Sequence, residues 1–300
     1  MTSVPAAGHP SPPERPERPD GAPSRGTLPP PWPPWTAPAA LLAGFAAAIV
    51  AALLLGGIGA IFVGSIDHTP ASVSILAVVV QDACLIGAAL FFARMTAPPR
   101  PEQFGLRPAP FWRAVGFIVA GYLVFVVASY VWLQVIGEPN AKDTITEDLG
   151  AGDSTVALIA VTFVVTVCAP LAEEFFFRGY FYGALRRMGV LPAVALTGLA
   201  FGIVHVFGSP IAFIVPLALL GMGLALLREY TGSLYPGIAL HCFNNAVAMS
   251  SSEGWSWQVP IVLVGAPLTI ALIIKLALRF WPSGRPAASG PPATVAAPTA

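Results

Sequence analysis

The chain has 300 residues, of which 56% are apolar and only 10% charged, and its mean hydropathy is +0.75. So little polar surface cannot cover a water-soluble globule, so the solvent for most of the chain is lipid. Fifteen basic and fifteen acidic residues cancel to zero net charge, which removes the basic field that a nucleic-acid partner requires.

The first 35 residues are rich in proline with scattered Glu and Arg, a composition that builds no core, so 1–35 reads as a disordered tail. No apolar stretch follows a short basic one there, and a signal peptide is not expected. Apolar runs long enough to cross a bilayer as helices, which takes about 20 residues, follow at 37–64, 71–93, 112–135, 155–187, 190–208, 211–228, 233–250 and 257–278. The expected architecture is all-α: a polytopic membrane protein of about eight transmembrane helices. One transmembrane domain covers 36–280, its motif core lies at 155–250, and a second disordered tail covers 281–300. Cys84, Cys168 and Cys242 each stand alone in an apolar run and read as small buried hydrophobes. Gly56, Gly57 and Gly59 read as close helix packing.

Basic residues sort the ends of these spans. With eight crossings, Arg15, Arg18, Arg25, Arg94, Arg100, Arg107, Arg113, Arg178, Arg186, Arg187, Arg228, Lys275, Arg279 and Arg285 all fall on one side. Lys142 alone falls on the other, in a loop with Glu138, Asp143, Glu147, Asp148 and Asp153. The expectation is a multi-pass protein of the inner (plasma) membrane with both termini in the cytoplasm.

Ionisable groups inside lipid-embedded helices are costly and mark a pathway or a site. Here they are Asp82, the pair Glu173 and Glu174 with Arg178, His205, and His241 with Asn245. Counted from the basic ends of their spans, Glu173, His205, His241 and Asn245 lie at roughly 18 to 24 Å of helix, so three helices bring polar groups to similar depth. Glu174 and Arg178 are four apart with the acid first, the favoured geometry for a pair on one face. Glu173, about 100° around the helix, is left to face another element. Phe201 shares a face with His205, as His241 does with Asn245. Asp82 fits no pattern; it reads either as a supporting partner or as a group bonded to Gln81 or to neighbouring Ser and Thr. Phe175 to Phe177 read as lipid-facing or packed between helices.

A desolvated Glu serves as general base on water, a nearby His can share the proton, and a second His with an Asn can donate to a developing oxyanion. That is equipment for amide hydrolysis. The same imidazoles and carboxylate are also normal ligands of a catalytic zinc, and the residue types alone leave the two mechanisms open.

Glu173-Glu174-Phe175-Phe176-Phe177-Arg178 spells E-E-x-x-x-R, Phe201 to His205 spells F-x-x-x-H, and His241 to Asn245 spells H-x-x-x-N. In this order on successive helices they resemble the CPBP family of intramembrane proteases, which includes CAAX prenyl endopeptidases and the bacterial Abi or bacteriocin-processing proteins. The resemblance covers about residues 155–250. It implies an eight-helix fold with a cytoplasm-facing cavity, Glu173 and His205 activating water, and His241 and Asn245 stabilising the oxyanion. Glu174 and Arg178 would brace the site, with Phe201 in support. If a metal takes part, it would be zinc on Glu173, His205 and His241; a metal-free glutamate mechanism is the alternative. The implied partner is a membrane-associated or membrane-delivered peptide or protein, and the Pro- and Ala-rich composition points to a bacterial source.

No H-E-x-x-H and no G-x-S-x-G occurs, which removes the zincin-like and serine sites. Gly150-Ala151-Gly152-Asp153 spells G-x-G-D but lies in the acidic loop with no second aspartate motif, and it reads as accidental. Two other functions are weighed: a non-catalytic bacteriocin-immunity or scaffold protein of the same fold, and a transporter. Against the transporter, no internal repeat is found and the motifs occupy only the second half.

Overall fold

The computed structural model describes residues 29–63 and 70–281. Among them every regular element is helical. The chain runs through α1 (Thr36–Val63), α2 (Ala71–Arg94), the one-turn α3 (Pro101–Phe104), α4 (Phe111–Val135) and the one-turn α5 (Ile145–Asp148). There follow α6 (Thr155–Met188), α7 (Val190–Phe207), α8 (Ile211–Thr231), α9 (Tyr235–Ser252) and α10 (Gln258–Phe280). The bundle is an all-α polytopic membrane fold.

Seven of these helices are long and apolar enough to cross a bilayer; α9 is not among them. Its apolar run is broken by His241, Asn244, Asn245 and Ser250 to Ser252. α9 packs against α4, α6, α8 and α10, and it buries His241, Cys242, Ala246 and Met249. The expectation of about eight apolar spans therefore becomes seven plus one polar helix. Lipid faces the other helices, where Leu53, Leu123, Val127 and Leu268 are exposed, an apolar surface that only a bilayer makes favourable.

α6 departs most from regular helix. Two π turns, Val164–Cys168 and Glu174–Phe181, flank Ala169–Glu173, and π turns concentrate at functional sites. Pro170 supplies a reason for the first, because it has no N–H for the carbonyls of the preceding turn. α9 side chains use those carbonyls: Asn245 Nδ2 donates to Val165 O at 2.9 Å, and the Cys242 thiol donates to Thr166 O at 2.8 Å. One proline thereby gives α9 a fixed register against α6.

α7 and α8 meet on glycine. A Cβ on Gly198 would stand 2.3 Å from Met222 Cγ, one on Gly202 would stand 2.7 Å from Ile214 O, and one on Gly221 would stand 2.9 Å from Gly198 Cα. This is the small-residue seam that lets helix backbones approach closely in a membrane.

On the basic side the bundle is filled by aromatics. α3 is followed by Gly105 at φ +88°, a conformation that costs glycine little, and Gly105 O accepts from Leu234 N at 2.8 Å. The turn carries Phe104 into the bundle, stacked on Phe175 at 4.6 Å and against Trp32 at 4.8 Å. Trp32 is 1% exposed and also meets Tyr180 at 4.9 Å. Residues 29–35, expected as the end of a tail, thus join the folded domain through Trp32. The rest of the two expected tails, 1–28 and 282–300, lies outside the described residues.

Candidate active site

α6 turns Glu174 and Arg178 into the bundle, both with 0% side-chain exposure, and Arg178 Nη1 donates to Glu174 Oε1 at 2.7 Å. Arg178 Nη2 donates to Gly221 O at 3.2 Å, which ties the pair to α8. Gly237 on α9 makes room for the carboxylate, since a Cβ there would stand 2.8 Å from Glu174 Oε2. Glu173 lies around the helix with 16% side-chain exposure, as its spacing predicts.

His241 bridges the two acids. Its Nδ1 is 3.1 Å from Glu174 Oε1 and its Nε2 is 3.7 Å from Glu173 Oε2. The ionised, Arg-paired Glu174 only accepts, so Nδ1 carries the hydrogen and Nε2 is the nitrogen presented to Glu173. At 3.7 Å that contact is longer than a direct hydrogen bond.

His205 sits where α7 tightens into a closing 3-10 turn, His205–Phe207. Its Nδ1 donates to Phe201 O at 2.6 Å, which leaves Nε2 as the free nitrogen. The fully buried Phe201 ring lies between the polar groups, 4.7 Å from the His205 ring and 5.6 Å from His241. The Arg178 guanidinium lies over the same ring at 4.3 Å, a cation–π contact that is strengthened when desolvated. Asn245 lies one turn beyond His241; its amide spends one N–H on Val165 O and retains the second.

The seven residues expected from the sequence stand on α6, α7 and α9: Glu173, Glu174, Arg178, Phe201 and His241 are joined by contacts, His205 meets them through the Phe201 ring, and Asn245 is held on Val165 O. Phe175, Phe176 and Phe177 are buried between helices. Three contributors had no sequence signal: Gly237, whose role is an absence of side chain; Pro170, which acts through its missing N–H; and Asp143. Asp143 Oδ1 accepts from Ile145 N at 3.2 Å, its Oδ2 is 3.5 Å from Ser209 Oγ, and it lies within electrostatic reach of His205. Burial raises the Asp143 carboxyl above its ordinary 3.8. A cleft of about 450 Å³ lined by Leu90, Arg94, Pro98, Ala277, Phe280 and Trp281 lies elsewhere and touches none of these residues.

The donor set was tested against zinc, which takes three converging protein ligands in catalytic sites. Among the described residues no three His, Cys, Asp or Glu side chains converge in that way. Glu173 and His241 approach each other at 3.7 Å, and His205 meets the set only through the Phe201 ring. The residues as arranged do not fit a three-ligand metal, and no step below is routed through one.

A paired acid, a bridging imidazole and a buried Arg–Glu brace thus lie together inside the membrane bundle. Residues 155–247 match the family described as Type II CAAX prenyl endopeptidase Rce1-like. The chain is also 31% identical over 94 residues to the UPF0177 protein YbdI of Lactococcus lactis subsp. lactis (strain IL1403), covering 30% of this chain and 49% of that protein. It thus spans about half the length of the curated relative it matches. No solved structure matches. The family match runs from α6 into α9, the helices that carry the residues described above.

Proposed function

We propose that the protein is an intramembrane endopeptidase that hydrolyses a membrane-associated or membrane-delivered peptide with water activated by Glu173, without a metal. The observation that carries this reading is the His241 ring set between two adjacent carboxylates, one of them neutralised by Arg178 and the other left available. Glu173 takes a proton from water as the oxygen adds to the scissile carbonyl carbon, and His205 shares in holding that water through its free Nε2. The oxyanion is met by His241 Nε2, which donates when the ring is protonated, and by the second N–H of Asn245. Collapse breaks the C–N bond, and Glu173 delivers its proton to the leaving nitrogen. Glu174 holds His241 by its Nδ1 hydrogen, and Arg178 fixes Glu174.

The test is cleavage of a fluorogenic peptide library by the detergent-purified protein, with Glu173→Ala and His205→Ala alongside. Each substitution removes about 100-fold or more of kcat, and the wild type keeps its activity after chelation. Full cleavage by both variants would sink the assignment and favour a binding or immunity role for the fold; loss of activity on chelation with recovery on added zinc would sink the metal-free mechanism.

A further inference from the structure

α2 carries one acid within its span, Asp82, only 5% exposed. Neither of its carboxyl oxygens has a hydrogen-bond partner, and among the described residues no basic side chain forms an ion pair with it. Bonding to a neighbouring Gln, Ser or Thr is therefore not what this carboxyl does. The titratable groups that reach it electrostatically are Glu173 and Cys168, both on α6, along which α2 packs. Glu173 likewise has a buried Oε2 with no hydrogen-bond partner.

Two facing helices thus present three unmatched acceptor atoms, Asp82 Oδ1, Asp82 Oδ2 and Glu173 Oε2, within the membrane-spanning bundle. Each such atom costs stability when it is buried without a partner, so stability does not explain them. Two acceptor groups are reconciled by a molecule with two O–H donors. Water is that molecule, and it is also the reactant of amide hydrolysis.

We propose that Asp82 is a further catalytic residue, which together with Glu173 holds the attacking water. The inference rests on the peptidase reading. Asp82 accepts one O–H of the water and so aims its lone pair, while Glu173 and His205 Nε2 share the other O–H, whose proton Glu173 takes as the oxygen bonds to the carbonyl carbon. When the C–N bond breaks, the proton on Glu173 passes to the leaving nitrogen. The O–H held by Asp82 leaves with the new carboxyl group, and Asp82 ends unchanged.

The experiment compares the detergent-purified wild type, Glu173→Ala, Asp82→Ala and Asp82→Asn on the same fluorogenic peptide library, with thermal unfolding of each. Asp82→Ala lowers kcat by about 100-fold and leaves KM within about threefold. Its unfolding temperature stays level or rises, because two unmatched buried acceptors are gone. Asp82→Asn, which keeps one oxygen acceptor, falls between. Activity of Asp82→Ala within about threefold of wild type overturns the inference, and so does a loss of kcat that accompanies a lowered unfolding temperature, the signature of a brace. If the folded wild type cleaves nothing, the peptidase reading itself fails; if the wild type cleaves, Glu173→Ala is silent and Asp82→Ala is fully active, the role of Asp82 alone fails.

Discussion

At the scale of single residues, Glu173 and Glu174 are chemically identical neighbours in different environments, and the proposed function gives them opposite tasks. Glu174 is sealed, paired with Arg178 and bonded by His241, whereas Glu173 keeps an edge of exposure and no cation of its own. Removing one member of a buried ion pair strands the other charge, at about 3–5 kcal/mol. Glu174→Leu and Arg178→Leu each lower thermal stability by an amount of that order, while Glu173→Leu lowers activity with little change in stability. The double variant Glu174→Leu, Arg178→Leu recovers much of the lost stability without recovering activity, because His241 has lost the acceptor for its Nδ1 hydrogen. Unfolding temperatures and peptide cleavage of the four proteins check this; equal destabilisation by Glu173→Leu would contradict the division of roles. The division was legible in the sequence, since E-E-x-x-x-R puts only one of the two acids on the arginine's face. The partner of Asp82 was not, because contact between α2 and α6 follows from no local spacing.

At the scale of elements, the spans were legible to within a few residues because lipid demands unbroken apolar runs. The exceptions have physical causes: α9 is polar where His241, Cys242 and Asn245 bond α6, and α3 is too short to leave a periodicity yet fixes Phe104 in the core. α5 and its flanks follow the same pattern, with Leu149 and Ala151 packed on Val161 and Met249, and with Ile145 against Gly208 just past the His205 turn. Asp143 anchors this loop. Burial raises its carboxyl, and the Ile145 N–H, His205 and the Ser209 hydroxyl only partly oppose that. A folded value above the unfolded 3.8 means that the contribution to the closed loop is complete below 3.8 and is lost as pH rises through the raised value. Amide hydrogen exchange across 143–149, corrected for intrinsic rates, is accordingly faster at about pH 7 than at about pH 4, and Asp143→Asn slows it at the higher pH. Unchanged pH dependence in Asp143→Asn would count against Asp143 as the responsive group.

At the scale of the whole molecule, charge and packing give the two ends of the bundle different characters. The basic end is plugged by Trp32, Phe104, Phe175 and Tyr180, so the approach that the family resemblance implies from that side is lined by aromatics. The other end carries the acidic loop of Asp143 and Lys142. The sequence expectation, drawn from the positive-inside rule, is that the plugged end faces the cytoplasm, and cysteine labelling tests it. The three native cysteines lie within α2, α6 and α9, so a cysteine added to a loop can be read with a membrane-impermeant maleimide in intact cells. Lys142→Cys is labelled without permeabilisation and Arg187→Cys only after it. Arg187→Cys is the informative member of the pair because its site follows the long α6. If α9 failed to cross, the helices before it would keep their orientation and only α10 would invert, so a third cysteine at Trp281 distinguishes seven crossings from eight. Protection of Trp281→Cys in intact cells means that α9 spans the membrane, polar as it is, and labelling there would place the end of α10 on the outer side.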